Sequence, residues 1–130
     1  MIQYYTTIEQ VKKLISLGLD PGTADMYYIR NWGEYYARTN NEKYIGDRLY
    51  PCWSVGALMD LIPKHIVKNN TEYSMCLQTM THCYSLCHTD GRYLTTLGCQ
   101  IICKSLMDAV YQYVVWLIEN GYINGNEPNN

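Results

Sequence analysis

The amino-acid sequence predicts an α+β protein, in which a small antiparallel sheet of about three strands packs with an N-terminal helix, a C-terminal helix and a short central helix. Three observations predict this class. Apolar residues recur at helical spacing in three separate segments, each preceded by a capping residue. A later segment alternates between apolar and polar residues, as a half-buried strand does. The dipeptide Asp90-Gly91 then separates two β-prone runs, which is a strong signal for a hairpin.

The first helix is predicted over residues 8–17. Thr7 and Gln10 have the spacing of a capping box, in which the hydroxyl accepts a backbone N–H and the amide side chain reaches back to the N-cap. Gly18 follows the last apolar position and supplies the left-handed residue that ends many helices. An Asp-Pro-Gly turn then leads to a short β-prone stretch, residues 26–29.

The middle of the chain divides into an irregular segment and a short helix. Residues 30–51 show no periodicity, so we expect a long loop there, and long loops in compact domains are usually functional or mobile. Ser54 is a good N-cap for a helix whose apolar positions repeat at helical spacing, and Pro63 interrupts or ends this helix. Strand alternation follows over residues 73–78, and the runs 82–89 and 92–99 complete the predicted sheet.

The C-terminal helix has the clearest signal. Ser105 with Asp108 three residues later predicts a capped start, and Gly121 ends the helix. Tyr111 and Trp116 fall outside its apolar stripe, so they form either a second buried face or a contact between subunits of a homo-oligomer. The stripe comprises Leu106, Ala109, Val110, Tyr113, Val114 and Leu117.

Length and composition predict one domain with no membrane or duplex nucleic acid partner. The chain has 130 residues, of which 48% are apolar, and we predict a single domain over residues 1–124 with a polar tail, 125–130. The net charge is −2 and no basic cluster exceeds Lys12-Lys13, whereas duplex binding needs a basic face. No signal peptide or membrane-spanning segment is evident, and six cysteines in a chain of this length predict free thiols in the cytoplasm.

Two histidines and four cysteines fall within residues 82–103 and have the ligand types of a zinc site. Four residues along a strand span about 13 Å, so Cys83 and Cys87 cannot both bind one ion. A two-residue turn at Asp90-Gly91 pairs His82 with Cys99 and scatters the sulfurs further. We therefore predict half-buried cysteines and no metal site.

Catalytic chemistry has little support in the sequence. Cys87, His88 and Asp90 have the types of a nucleophile, a base and an orienting group, but adjacent strand residues point to opposite faces of a sheet. His65, near the predicted end of the central helix, is interpreted as a surface imidazole. No phosphate-binding loop or hydrolase motif occurs, and we predict no catalytic residue, no cofactor and a protein that is not an enzyme.

The aromatic residues are the remaining candidates for function. The chain has 14 tyrosines, three tryptophans and no phenylalanine, so nearly every ring carries a polar group. Rings interleaved with arginines bind bases and phosphates. Tyrosine and arginine are also enriched at protein interfaces, and a core under a long loop is the third interpretation. The predicted ligand-binding residues are Tyr27, Tyr28, Arg30, Trp32, Arg38, Arg48, Trp53 and Ser54.

Three blocks of the sequence resemble a group of small accessory proteins encoded by phages and prophages of gut Bacteroidetes. The blocks are TTIEQVKKLISLGLDPGTADMYY at residues 6–28, PCWSVGALMDLIP at residues 51–63 and DAVYQYVVWLIENGYI at residues 108–123. The resemblance implies a small phage protein that acts in the cytoplasm of the bacterial host cell and binds rather than catalyses. It carries no catalytic motif.

The resemblance and the composition together lead to the hypothesis that the protein counteracts host defence by sequestering a small nucleotide signal, cyclic or of ADP-ribose type. The predicted rings would then stack on bases, the arginines would bind phosphate, and the helix start at Ser54 would offer unpaired amides to an anion. The alternatives are a protein-interaction module that binds and inhibits a host protein, or a structural phage protein.

Overall fold

The computed structural model describes residues 3–40, 48–91 and 95–124. Within these residues it has three α-helices and two antiparallel sheets, so the predicted α+β class with terminal helices and a short central helix is confirmed. The elements are α1 (Ile8–Ser16), β1 (Met26–Asn31), β2 (Glu34–Thr39), β3 (Tyr50–Cys52), α2 (Val55–Leu61), β4 (His65–Lys68), β5 (Thr71–Thr79), β6 (Tyr84–Thr89), β7 (Thr96–Cys103) and α3 (Leu106–Glu119). A 3₁₀ turn, Pro21–Thr23, follows α1.

The helix starts agree with the sequence. The Thr7 hydroxyl accepts a hydrogen bond from the Gln10 N–H at 3.1 Å, and the Thr7 N–H donates to the Gln10 side chain at 2.9 Å, which completes the capping box. The Ser54 and Ser105 hydroxyls cap α2 and α3 by accepting from the N–H groups of Ala57 and Asp108, each at 3.1 Å, without the reciprocal bond. None of the helices in the described ranges is long and apolar enough to cross a lipid bilayer.

The predicted number of strands is wrong, because the chain forms a three-stranded sheet, ordered β2-β1-β3, and a four-stranded sheet, ordered β4-β5-β6-β7. Much of the segment expected to be irregular is a hairpin of β1 and β2. Trp32 (φ 55°) and Gly33 (φ 80°) form its two-residue turn, and Asn31 pairs with Glu34 across it. Both positive φ values fit a type I′ turn, which tryptophan at the first position did not signal. Residues 41–47, inside the expected loop, lie outside the described residues.

A second hairpin, of β4 and β5, was also not predicted. Its turn is Asn69-Asn70, with φ values of 52° and 63°, and Lys68 pairs with Thr71. His65 therefore lies on a strand rather than near the end of a helix. Its ring is exposed, as predicted, and its Nδ1 lies 3.0 Å from a carboxylate oxygen of Glu72.

The hairpin at Asp90-Gly91 exists, but its predicted register is wrong. Tyr84 pairs with Cys103 and Cys87 with Gln100, so the predicted pairing of His82 with Cys99 does not occur. The last residues that pair in β6 and β7 are Thr89 and Thr96, so more than the two residues of the predicted turn lie between the strands. Asp90 closes the connection instead, because its N–H donates to the Thr95 carbonyl at 3.1 Å. Residues 92–94 lie outside the described residues.

One hydrophobic core joins both sheets and all three helices. Trp53 lies at its centre with no exposed surface, and its indole N–H donates to the Thr23 hydroxyl at 2.9 Å. Tyr28 reaches the core from the first sheet and Leu86 from the second. The predicted boundary between a domain at 1–124 and a tail stays a prediction, since residues 125–130 lie outside the described residues.

Candidate functional site

The turn of the β1–β2 hairpin carries the most exposed large apolar side chain in the described ranges. Trp32 keeps 94% of its accessible surface and adopts a left-handed backbone conformation. Both features are unfavourable in the isolated protein, because indole surface in water costs free energy and a bulky residue with positive φ is strained. Two free-energy costs at one residue indicate that Trp32 has a role other than stabilising the fold.

Aromatic rings and arginines line both faces of the hairpin, from this turn back to Arg38, which pairs with Tyr27. Tyr35 and Tyr36 are both exposed, and they point to opposite faces of β2. Each ring has an arginine over it, Arg30 at 5.5 Å from the Tyr35 centroid and Arg38 at 5.6 Å from the Tyr36 centroid. We call Arg30, Trp32, Glu34, Tyr35, Tyr36 and Arg38 the hairpin surface.

Glu34 adds a negative charge beside the turn. The Tyr36 hydroxyl donates a hydrogen bond to the Glu34 carboxylate at 2.9 Å, and this bond together with the negative charge raises the pKa of Tyr36. The hairpin surface therefore combines one exposed indole with two tyrosine rings that lie against arginines, and the Tyr36 hydroxyl is also oriented by Glu34. Tryptophan, tyrosine and arginine are the residues that most often dominate binding energy at protein interfaces.

Two rings predicted to stack on a ligand are sealed in the core. Tyr28 is buried, its hydroxyl donates to the Thr6 carbonyl, and burial is the main cause that raises the pKa of Tyr28. Trp53 is fully buried. The prediction that these two rings are accessible is wrong, because both rings belong to the core that the helices share with β1, and their polar groups find partners inside the protein.

Tyr27 and Arg48 lie together in a different place. Tyr27 is only 2% exposed, so the prediction that this ring is accessible is wrong as well, and the Arg48 guanidinium lies 4.1 Å from the centroid of its ring. Both residues line an open groove of about 340 Å³, together with Asn40 and Tyr50. Trp32 is five residues farther along the hairpin, about 17 Å for an extended strand. The predicted site residues therefore do not converge on one concave site: Arg30 and Trp32 lie at the turn end of the hairpin, whereas Arg38 is the register partner of Tyr27 and lies toward the groove.

The predicted anion site at the start of α2 is contradicted by the structure. The Ser54 N–H donates to one oxygen of the Asp25 carboxylate at 2.9 Å, and the Ser54 hydroxyl donates to the other at 2.5 Å. Asp25 therefore already supplies the negative charge that this helix start favours. A second anion there would be repelled by that carboxylate.

The histidine and cysteines of β6 have structural surroundings. His88 is fully buried, its Nε2 donates to the Pro63 carbonyl at 2.6 Å, and its Nδ1 accepts from the Tyr113 hydroxyl. Cys87, the preceding strand residue, points to the opposite face of the sheet. In the part of the chain that the structure describes, no three His, Cys, Asp or Glu side chains are grouped as metal ligands.

Trp116 and Tyr111 form a second buried face of α3, which is one of the two alternatives for these residues. Both side chains are half-buried and pack against the core. Trp116 stacks between Tyr113, at 5.8 Å between centroids, and Tyr122, at 5.4 Å.

The predicted set omitted Tyr35 and Tyr36, which the structure places beside Trp32. A signal for them exists in the sequence. If Trp32-Gly33 is interpreted as a two-residue turn, Tyr35 falls opposite Arg30 and Tyr36 opposite Ile29, as the observed register has them.

Comparison of the chain with protein-family models, curated proteins and solved structures found no match.

Proposed function

We propose that the protein is a non-enzymatic binding protein whose β1–β2 hairpin inserts Trp32 into an apolar pocket of a partner protein. The observation that carries this proposal is the 94% exposure of Trp32 in a left-handed turn. A buried tryptophan removes roughly 150–250 Å² from water, which corresponds to roughly 4–6 kcal/mol of transfer free energy before the costs of association. That gain offsets the local cost of the exposed ring.

The strand that leads to Trp32 is held rigidly, as a residue that inserts into a partner requires. Three consecutive residues of β1, Tyr27, Tyr28 and Ile29, are buried, although neighbours on a strand point to opposite faces. The strand that carries Trp32 is therefore held on both faces. A turn of two residues adds little flexibility, so little conformational entropy is lost on docking.

The hairpin surface defines the chemistry of the partner. The pocket of the partner protein would bind the Trp32 indole. The rim of that pocket would carry carboxylates that pair with Arg30 and Arg38, and a hydrogen-bond donor for the Glu34 carboxylate. The resemblance to phage accessory proteins makes a host defence protein in the bacterial cytoplasm the candidate partner, and inhibition by occupation of its pocket the candidate effect.

The test compares wild-type protein with Trp32→Asn and Val67→Thr. Asparagine is favoured at this turn position, so Trp32→Asn removes the indole and preserves the hairpin. Val67 is 69% exposed on the other sheet and serves as the matched control. After capture from host lysate, the purified partner is titrated by calorimetry with each variant. We expect Trp32→Asn to weaken binding about thirtyfold or more, as loss of a hot spot of about 2 kcal/mol does.

Val67→Thr is expected to bind as the wild type does. A folded Trp32→Asn variant with wild-type affinity would refute the role of the indole. Failure of the wild-type protein to retain any stoichiometric host protein would contradict the proposed function.

Binding of a small nucleotide is a second candidate, and the Arg48–Tyr27 pair favours it. The guanidinium lies over the ring beside a groove of about 340 Å³, near the lower limit of ligand-sized clefts. A phosphate could pair with the exposed Arg48, and a base could lie along the Tyr50 ring.

Calorimetric titration with ADP-ribose and cyclic dinucleotides tests this candidate. We expect Arg48→Gln to weaken binding at least tenfold, because a charge-assisted hydrogen bond to phosphate is lost. Arg30→Gln, on the hairpin surface, is the control with the same change of charge. Absence of heat with every nucleotide in the panel would exclude these ligands.

A further inference from the structure

Two cysteines face each other on the central strands of the four-stranded sheet. Cys76 on β5 and Cys87 on β6 are register partners in an antiparallel ladder, and their neighbours Leu77 and Leu86 pair in the same ladder. Directly opposite residues project to the same face of a sheet. Both thiols are therefore on the face opposite to Leu86, which packs in the core.

The spacing of antiparallel partners fits a disulfide. The Cα atoms of such pairs lie about 4.5–5.5 Å apart, inside the range of about 4.4–6.8 Å that disulfides adopt. The thiols are close enough to affect each other, because the Cys76 thiol, after burial, contributes to raising the pKa of Cys87. Both are free thiols.

The other cysteines are not register partners of either thiol: Cys99 also contributes to raising the pKa of Cys87, but Gln100 is the residue that pairs with Cys87. Cys52 is buried in the core, and Cys83 lies 3.3 Å from the sulfur of Met80. Cys99 and Cys103 are four residues apart on one strand, about 13 Å. Across the strand pairs of the described residues, no other two cysteines are register partners.

We propose that Cys76 and Cys87 form a reversible oxidation site, which a peroxide converts to a cross-strand disulfide. Cys76 is the more exposed of the two and reacts first. Its thiolate attacks a peroxide oxygen, the O–O bond breaks, and a sulfenic acid forms with release of one water. The Cys87 sulfur then attacks the sulfenic sulfur, the S–S bond forms, and a second water leaves. Two thiols lose two electrons and two protons, and one hydrogen peroxide becomes two waters.

The disulfide would covalently cross-link the two central strands of the sheet, β5 and β6, and so stabilise the fold. It closes a loop of about twelve residues, for which loop-closure entropy predicts that the unfolding equilibrium constant falls about a hundredfold. Reduction by a dithiol reverses the reaction, since exchange opens the bond. The site would let the protein gain stability under oxidative stress and lose it when reducing conditions return.

The experiment treats the folded full-length protein with hydrogen peroxide, alkylates the remaining thiols and digests with chymotrypsin. Cleavage after Tyr84 separates Cys87 from Cys76 and Cys83, and cleavage after Leu77 separates Cys76 from Cys83. We expect the intact mass to fall by the mass of two hydrogen atoms. The digest should contain one disulfide-linked peptide pair that joins Cys76 to Cys87, and dithiothreitol should reverse both changes. The melting temperature of the oxidised protein should rise by several degrees.

Cys76→Ser should lose both the linked peptide and the rise in melting temperature, whereas Cys83→Ser should retain them. Cys76 is only partly buried, so its replacement by serine is compatible with folding. Three results would overturn the proposal: an unchanged mass, oxygen addition without a cross-link, or a link between other cysteines.

Discussion

His88 is the buried titratable group on which the pH dependence of stability should depend. The Pro63 carbonyl can only accept, so the His88 Nε2 carries a proton, and in the neutral imidazole the Nδ1 accepts from the Tyr113 hydroxyl. Burial is the main cause that lowers the pKa of His88, and the nearby His65 lowers it further, while the bond to Pro63 opposes both. The folded protein thus holds this imidazole neutral.

Acidification should destabilise the protein through His88. The unfolded chain binds a proton near pH 6.5 and the folded protein only at lower pH, so stability is complete above about pH 6.5 and declines as the pH falls below it. The decline is at most about 1.4 kcal/mol per pH unit for this group. Urea unfolding at pH 7.5, 6.5 and 5.5 measures it, with His82→Gln as an exposed control. Equal stability at all three pH values would contradict the prediction.

Single side chains show where local sequence was sufficient. The caps at Thr7, Ser54 and Ser105 follow from the identity of the capping residue and its neighbours three positions on, and all three were predicted correctly. The burial of Tyr28 and Trp53 was not predictable in the same way. It depends on helices that are distant in sequence and pack over these rings.

The hairpins show how turn signals succeed and fail in one chain. Asp90-Gly91 has the preferred dipeptide, yet the strands on either side pair in a register that requires a longer connection. Trp32-Gly33 and Asn69-Asn70 are the actual two-residue turns in the described strands. Register is selected by which side chains each strand buries, and that selection can override the preference of a turn dipeptide.

The Trp32 turn gives a stability prediction of unusual sign. Trp32→Asn should stabilise the protein by roughly 1 kcal/mol, because asparagine adopts positive φ with less strain and no large apolar ring remains in water. Asn70→Ala, at φ 63° in the other two-residue turn, should destabilise it by a similar amount. Urea unfolding of the two variants measures both effects. A less stable Trp32→Asn protein would show that the indole contributes to the fold.

The shared core links the β1–β2 hairpin to the rest of the molecule. β1 contributes Tyr28 to the same cluster as Val11 of α1, Leu58 of α2 and Leu117 of α3, so the strand beneath Trp32 is positioned by all three helices. The far sheet joins the cluster through Leu86. The exposed turn is therefore an extension of the core rather than a separate mobile loop, which is what a docking anchor requires.

Local chemistry was enough to predict the α+β class, the three helices and their caps, because helical periodicity and capping depend on residues within a few positions of one another. The seven strands of the described residues, their registers and the division of the aromatic residues into core and surface depend on partners far apart in the chain. Tyr28 and Trp32 both have large aromatic side chains with one polar group, and they lie four residues apart. Only the packing of helices on one face of β1 buries the first, while the turn leaves the second in water.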